Sequence, residues 1–199
     1  LSRIAMSTKP PSSEGLNALA LVRSVAELAA TWPRCHSVLG SPPHTTTSLS
    51  QRLNGLAAEM FVAQDSQGQC CAAAVVIATG EGEARIDFAG CADSIYKLLV
   101  YGCIVEAIRW CRRGRFERIY LEFSSDELDE WPAAPLLSSG CCEIQIILEN
   151  HVYRRYAYRD LVVCRATAEP VAVEPTSGEF ESAVGLRASR AALRPLEEA

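Results

Sequence analysis

The stretch CIVEAIRWCRRGRFERIYLEF, residues 103–123, contains two hydrophobic periods in succession. In its first half, apolar residues recur at helical spacing up to the basic pair Arg112–Arg113 and Gly114. Glycine readily adopts the left-handed conformation that often ends a helix, so Gly114 is the expected C-terminal cap. In its second half, residues 118–123 alternate as a strand does, with Glu122 between two apolar neighbours. The stretch therefore predicts a helix that leads almost directly into a strand.

A strand-like segment precedes this helix and turns the unit into a crossover. Residues 84–89 alternate apolar and small or polar side chains. Asp93 or Ser94 can cap a helix over 95–113, whose narrow polar arc predicts burial on most sides. Two strands of one sheet that are joined by such a helix run parallel. We therefore expect 84–89 and 118–123 to pair in parallel.

The remaining segments predict antiparallel strands and flanking helices. Turn signals at 66–69 (SQGQ) and 80–82 (GEG) separate strand-like runs. From Glu169 the chain is rich in Pro, Ala, Ser and Glu, and within it only 183–194 has a helical pattern. The further predictions are helices over 17–32 and 48–59, a short capped helix within 124–131, and strands over 60–65, 70–79, 141–149 and 156–166. The expected division is a flexible segment 1–15, a domain 16–166 and a low-complexity tail 167–199.

Composition excludes several classes of function. The net charge is −5 and the charges are mixed along the chain, so no basic stripe for DNA exists. The densest aromatic and basic cluster, around Tyr153, lies in acidic surroundings that argue against RNA. No uncharged run is long enough to predict a transmembrane helix.

Cysteine usage predicts a reducing, intracellular compartment. The nine cysteines are odd in number and show no CxxC, CxxH or HxxxH spacing, so we expect buried thiols and no metal site. The basic, serine- and proline-containing start of the chain fits the remnant of an organellar targeting peptide and fits an ordinary flexible lead-in equally well. The cytoplasm and an organelle such as the mitochondrion or plastid both remain open.

Two carboxylates lie on the two strands predicted to be parallel, Asp87 and Glu122. A buried carboxylate at this place can act as general base on an amine. The alternative is structural ion pairing, of Asp87 with Arg85 and of Glu122 with an arginine such as Arg118. Structural ion pairs outnumber catalytic bases, which favours the second interpretation.

This order of elements resembles the GNAT acyltransferase fold, and the similarity covers about residues 56–165. The implied fold is α/β: a mixed sheet with antiparallel N-terminal strands, a central buried crossover helix and a closing C-terminal hairpin. Within the superfamily, the segment is most similar to FemAB-type and related peptidoglycan-biosynthesis transferases, in which a pattern close to LLWEAIRWAxERGxxRFDLG recurs. The shared residues are Glu106, Ala107, Ile108, Arg109, Trp110, Arg113, Gly114 and Arg118.

The resemblance also implies a donor site where the parallel strands splay. An acyl-CoA-type donor would lie beside the cofactor-binding candidates Gly90, Ser94 and Lys97. The family often uses a tyrosine near Tyr153 as general acid, but the favoured interpretation of Tyr153 is an exposed edge residue that covers the core.

The sequence departs from the GNAT pattern at the donor turn. The family's R/Q-x-x-G-x-G/A turn, whose amides hold a pyrophosphate, is absent from CADSIYKLLVYGC at 91–103, where Asp93 adds a carboxylate. A lysine found in related families after the fourth strand is replaced by SSDELDE at 124–130. FemAB-type enzymes take an aminoacyl-tRNA donor, but they have basic surface and usually two domains, neither of which is visible here.

These departures lead to two hypotheses. The first is a GNAT-like module without the donor turn that serves as a non-catalytic accessory or structural subunit of a larger complex, with protein partners bound through the N- and C-terminal tails. The alternative is an N-acyltransferase or aminoacyltransferase that uses an acyl-CoA-type donor, with Asp87 or Glu122 as base. The sequence favours the first and leaves open whether the protein is an enzyme.

Overall fold

The computed structural model describes residues 11–31, 46–64, 69–90, 94–130, 132–154, 156–168 and 187–191. These residues form helices and strands joined mostly by short turns, among them a single 3-10 turn, Ser125–Glu127. The elements are α1 Pro11–Thr31, α2 Thr46–Leu56, β1 Ala57–Gln64, β2 Cys70–Gly80, β3 Glu83–Gly90, α3 Ser94–Arg113, β4 Arg118–Ser124, α4 Ala133–Ser138, β5 Cys142–Arg154, β6 Ala157–Ala166 and β7 Arg187–Ala191. None of the helices in these residues is long and apolar enough to cross a membrane.

The strands form one mixed sheet in the order β5-β6-β4-β3-β2-β1-β7. β3 and β4 pair in parallel, whereas the other neighbours pair antiparallel. The predicted crossover is confirmed, because α3 connects the two parallel strands. The structure is the α/β arrangement that the resemblance implied, with antiparallel N-terminal strands and a closing β5–β6 hairpin.

Helix α3 covers one face of this sheet, which we call the α3 face. Its buried residues share a core with every second residue of β1, β2, β3, β4 and β6. Full burial of a large aliphatic side chain contributes about 1.5–3 kcal/mol. The fully buried large residues of this core include Ile86, Ile104, Ile108, Ile119 and Leu121. Every second side chain of these strands faces α3, so the apolar residues at those positions pack against the broad apolar surface of the helix.

The opposite face, which we call the α1–α2 face, has a smaller core. Helices α1 and α2 pack there against the intervening residues of β1 and β2 and against Ala89 of β3. This core contains no buried residue of β4, β5 or β6. The described helices therefore shield only one half of the sheet on this face.

Several elements differ from prediction. α1 begins at Pro11, within the segment 1–15 that was expected to be flexible, and proline is compatible with the first turn of a helix. A second difference is α4, Ala133–Ser138, a helix that was not among the predicted elements. Pro135 is its third residue, where its missing N–H breaks no intrahelical bond. Residues 124–131 contain a 3-10 turn where a short helix was expected.

The C-terminal tail contributes a strand. Residues 187–191 pair antiparallel with Met60–Gln64 at the edge of β1. The helical pattern over 183–194 was therefore misleading, since five of its residues are extended. The predicted turn at 66–69 lies largely outside the described residues.

The end of α3 is capped differently from the prediction. Arg115, with φ of 62°, adopts the left-handed conformation expected of Gly114. The Phe116 N–H donates to the Cys111 carbonyl at 3.0 Å and the Arg115 N–H to the Arg112 carbonyl at 3.1 Å, which is the Schellman arrangement. The rings of Phe116 and Trp110 stack with centroids 6.0 Å apart, supplying the hydrophobic contact of this motif.

Six of the seven described cysteines are buried, in agreement with the prediction, and all seven are free thiols. Burial raises the pKa of Cys103, Cys111 and Cys142 to about 12 and that of Cys164 to about 11. Such thiols stay protonated at neutral pH and act as small hydrophobic side chains. The described residues include no group of three His, Cys, Asp or Glu side chains placed to hold a metal ion.

Replacing Arg115 by glycine is expected to stabilise the protein. Glycine relieves the strain of the left-handed conformation, but it also gives the unfolded chain more conformational entropy. We expect a net increase in the free energy of unfolding of about 0.5–1 kcal/mol. Urea unfolding monitored by circular dichroism measures the change. Arg113→Gly is the matched control: it removes the same charge from a right-handed helical position and should destabilise by about 0.5–1 kcal/mol. Equal effects of the two variants would contradict the assignment of the cap.

The buried thiols predict a loss of stability in alkali. Because the pKa of Cys103 is about 12 when folded against 9.0 ordinarily, its contribution is complete below pH 9 and is lost between pH 9 and 12. Each such thiol lowers the unfolding free energy by up to about 1.4 kcal/mol per pH unit in this window. Urea unfolding at several pH values, with a phosphine reductant present, should show a shallower slope for Cys103→Ala. Val100→Ala, on the same helix, should lose stability without changing the slope.

Candidate functional site

The parallel ladder between β3 and β4 stops before either strand ends. Pairing runs from Glu83–Arg118 to Ile86–Leu121. β3 nevertheless continues to Gly90 and β4 to Ser124. The two strands therefore part at their carboxyl ends, in the middle of the sheet. Such openings at the carboxyl ends of parallel strands are where open α/β sheets bind ligands.

On the α3 face, aromatic rings fill this opening. Phe88 of β3 and Phe123 of β4 are both buried, and their centroids lie 5.4 Å apart at an interplanar angle of 44°. Tilted aromatic pairs of this kind stabilise beyond their buried area. The opening is thus closed towards α3 by apolar packing, and any polar chemistry belongs to the other face.

On the α1–α2 face, one arginine contacts both predicted carboxylates. Arg85 Nε lies 3.1 Å from Asp87 Oδ1, without the alignment of a hydrogen bond, and Arg85 Nη1 lies 3.7 Å from Glu122 Oε1. The Asp87 side chain is 1% exposed, that of Arg85 25% and that of Glu122 17%. Two carboxylates and one guanidinium leave this group with a formal charge of −1. Asp87 is enclosed by protein, whereas Glu122 retains access to solvent.

The structure alters one of the predicted ion pairs. The pair between Asp87 and Arg85 is present, as their positions two residues apart on one strand suggested. Glu122 contacts Arg85 of the neighbouring strand, and Arg118 contacts Glu83 instead, with Nε 3.4 Å from Oε2. The role of Arg85 as a shared partner was missed. The signal for it was the parallel pairing itself, which sets Arg85 beside Tyr120, the neighbour of Glu122 on the same face.

The mouth of the opening lies beside the start of α3. Gly90 is the buried last residue of β3, and Ser94 is the first residue of α3. Lys97 lies in the first turn of that helix. The side chains of Ser94 and Lys97 and all of Asp93 fall outside the described residues. The backbone alone brings a helix N-terminus, with its outward N–H groups, to the end of β3.

In the acidic turn after β4, two carboxylates form hydrogen bonds with Ser124, the last residue of the strand. The Ser124 N–H donates to the Glu127 carboxylate at 2.8 Å, and the Ser124 hydroxyl bonds to Asp126. Ser124 and Glu127 are both buried. The acids that replace the family's lysine thus hold the end of β4 in a tight turn.

Tyr153 is not brought to the carboxylates. It pairs with Tyr158 across the β5–β6 hairpin, with ring centroids 5.2 Å apart, and is mostly exposed. Alternation along β6 from the α3-facing Val162 puts Tyr158 and Tyr153 on the α3 face. Asp87 and Glu122 lie on the opposite face of the sheet. The structure therefore separates Tyr153 from the two candidate bases.

Removing the shared arginine is expected to destabilise the protein. Arg85→Leu removes a cation that contacts the buried Asp87, and we expect a loss of about 2–3 kcal/mol, less than for a fully buried pair because Arg85 is partly exposed. Adding Asp87→Asn should recover part of that loss. Arg118→Leu, which breaks the more exposed pair with Glu83, should cost less than about 1 kcal/mol. Chemical unfolding of the four proteins tests this, and equal losses for the two arginines would contradict it.

Solved structures share this fold. A GNAT superfamily phosphinothricin acetyltransferase from Sinorhizobium meliloti, in complex with AcCoA, is similar with a TM-score of 0.58 and 16% identity over 83% of this chain and 94% of that chain. The ribosomal-protein-S18-alanine N-acetyltransferase from Escherichia coli has a TM-score of 0.55 and 14% identity over 80% and 93%. A spermidine N-acetyltransferase from Vibrio cholerae, in complex with CoA and spermine, has a TM-score of 0.56 and 15% identity over 75% and 89%.

Sequence comparison adds no closer relative. No protein-family model matches the chain, and no curated protein is significantly similar to it. At 14% to 16% identity the structural likeness shows the fold alone. The closer similarity to FemAB-type transferases that residues 103–123 suggested is not among these findings. What the comparisons show is that this chain has the fold of GNAT acetyltransferases.

Proposed function

We propose that the protein is an N-acyltransferase that uses an acyl-CoA-type donor and an amine acceptor. The observation that carries the proposal is the opening between β3 and β4, where a parallel ladder ends with Glu122 at its edge. Three structural neighbours are N-acetyltransferases or bind AcCoA or CoA. These neighbours favour this activity over the non-catalytic accessory role inferred from the missing glycine-rich turn.

The geometry suits an extended donor that carries amides. The pantetheine arm of acyl-CoA has amide N–H and C=O groups, and strands that part can continue their ladder with such a chain. The end of β4 is already engaged through the Ser124–Glu127 bond, so the edge of β3 from Asp87 to Gly90 is the proposed track. The N-terminus of α3 at its far end would favour the donor's phosphates.

Glu122 is the proposed general base. It would accept a proton from the acceptor ammonium, the amine nitrogen would bond to the thioester carbonyl carbon, and the C–S bond would break to release the CoA thiolate, which takes up a proton. Glu122 is preferred to Asp87 because its side chain is 17% exposed, whereas that of Asp87 is 1% exposed. Arg85 would hold the carboxylate in place, and Asp87 would hold Arg85. Tyr153 has no role in this proposal.

The first test is donor binding and transfer. Acetyl-CoA should raise the melting temperature by several degrees at saturating concentration, since a ligand that binds only the folded state stabilises it. Acetylation of a panel of small primary amines and polyamines should follow. CoA release is best measured by chromatography, because thiol dyes would also react with an accessible cysteine of the protein such as the half-buried Cys70.

Glu122→Gln should lower kcat by about a hundredfold or more while leaving the KM for the donor within about twofold, the loss expected for a general base. Glu143→Gln, an exposed residue of β5, is the matched control and should behave as wild type. Circular dichroism establishes that both variants fold. Absence of both donor binding and transfer would contradict the proposed function, and full activity of Glu122→Gln would remove Glu122 from it.

A further inference from the structure

The pairing register sets the proposed base in line with aliphatic side chains of the two outer strands. Glu122 of β4 lies opposite Val163 of β6, and Val163 lies opposite Ile146 of β5. One row nearer the β5–β6 hairpin, Leu161 lies opposite Leu148. We call these four aliphatic residues the apolar strip. Since neighbouring strands are about 4.8 Å apart, the strip extends about 10 Å outward from Glu122.

The apolar strip lies on the same face of the sheet as the two carboxylates. The residues on either side of Glu122 and Val163 in their strands belong to the α3 core, so these two side chains point to the α1–α2 face. Residues that pair across neighbouring strands share a face, which places Ile146 and Leu148 there as well.

The outer part of the strip is accessible. Ile146 and Leu148 are 53% and 38% exposed, Val163 is half-buried and Leu161 is buried. The core that α1 and α2 form on this face contains no buried residue of β4, β5 or β6. Small-molecule sites combine apolar lining with a few polar groups, and here the polar group is the carboxylate at the inner end of the strip.

The charges around the strip favour a cation at its inner end. Arg85, Asp87 and Glu122 together carry a formal charge of −1, and of the two carboxylates that of Glu122 reaches solvent. Arg165 lies on the same face, but its Nη2 donates to the Glu117 carbonyl at 3.4 Å. This bond holds the guanidinium towards the amino end of β4, whereas Glu122 lies near the carboxyl end. An ammonium group is therefore favoured beside Glu122.

We propose that the acceptor is a primary amine with an unbranched aliphatic chain, its ammonium beside Glu122 and its chain along the apolar strip. The inference rests on the proposed acyltransferase function and names the substrate class of that site. The transfer step is unchanged: the amine nitrogen bonds to the acyl carbon, Glu122 accepts the proton and the CoA thiolate leaves. A polyamine would place a second ammonium over aliphatic side chains that offer it no partner, and should be a poorer acceptor.

Chain length is the first measurement. With acetyl-CoA as donor, kcat/KM should rise about twofold for each methylene added from n-butylamine through n-hexylamine to n-octylamine. Full burial of a methylene would give about fourfold, and the open strip covers only one side of the chain. Spermidine should be at least tenfold poorer than n-octylamine. A series without length dependence, or a preference for spermidine, would overturn the inference and leave the acyltransferase proposal intact.

Two adjacent isoleucines provide a matched pair of variants. Ile146 and Ile147 are 53% and 54% exposed, but Ile147 lies opposite Val162 on the α3 face. Ile146→Ser should lower kcat/KM for n-octylamine about fivefold while leaving n-butylamine, which is too short to reach it, within twofold. Ile147→Ser should leave both amines unchanged. Equal effects of the two variants on n-octylamine would contradict the placement of the chain.

Binding without turnover separates this inference from the proposed function. Calorimetric titration of n-octylamine into the full chain, with CoA in place of acetyl-CoA, should give a dissociation constant at least tenfold below that of n-butylamine. Octanoate has a similar chain with the opposite charge and should bind at least tenfold more weakly than n-octylamine. Selective amine binding without any transfer would contradict the acyltransferase and retain the amine site. Absence of n-octylamine binding, or equal binding of octanoate, would overturn the amine site.

Discussion

The packing of α3 on the sheet is the constraint from which the rest of the fold follows. This helix follows β3 in the chain and precedes β4. Its buried residues share one core with apolar side chains from five strands of the sheet. Because the helix is buried along most of its surface, the crossover has one stable position, and β4 must lie beside β3 in the same direction. Gly82 strengthens this arrangement, since its carbonyl accepts the N–H groups of Glu117 and Arg118 at 2.8 and 3.0 Å.

The opening between the two parallel strands is lined by different residues on its two faces. Towards α3, the rings of Phe88 and Phe123 replace the missing ladder with apolar contact. On the other face, Arg85 joins a carboxylate that is wholly enclosed to one that reaches solvent. A buried charge needs a partner, and an accessible carboxylate can exchange a proton. Asp87 and Glu122 thus share one arginine but differ in their access to solvent.

The two edges of the sheet also differ from each other. β1 is covered by a strand from the C-terminal segment, and the pairing makes that segment part of the fold although its composition predicted a tail. β5 ends the sheet on the other side with aliphatic side chains on both faces. The irregularities in β5 limit how much of this edge is flat, which restrains uncontrolled pairing while leaving a short apolar segment.

The sequence by itself determined what depends on local period and spacing: the buried helix over 95–113, the strands on either side of it, their parallel direction, and the contact of Asp87 with Arg85 two residues away. It did not determine which arginine Glu122 meets, since that contact joins two strands and depends on their register. The tertiary structure also decided that Arg115 and not Gly114 takes the left-handed cap, because Phe116 must turn back onto Trp110. Likewise, residues 187–191 are extended only because β1 offers them an edge. Hydrophobic period is a local property of the chain, whereas strand partners and ion pairs are set by which segments the packed core brings together.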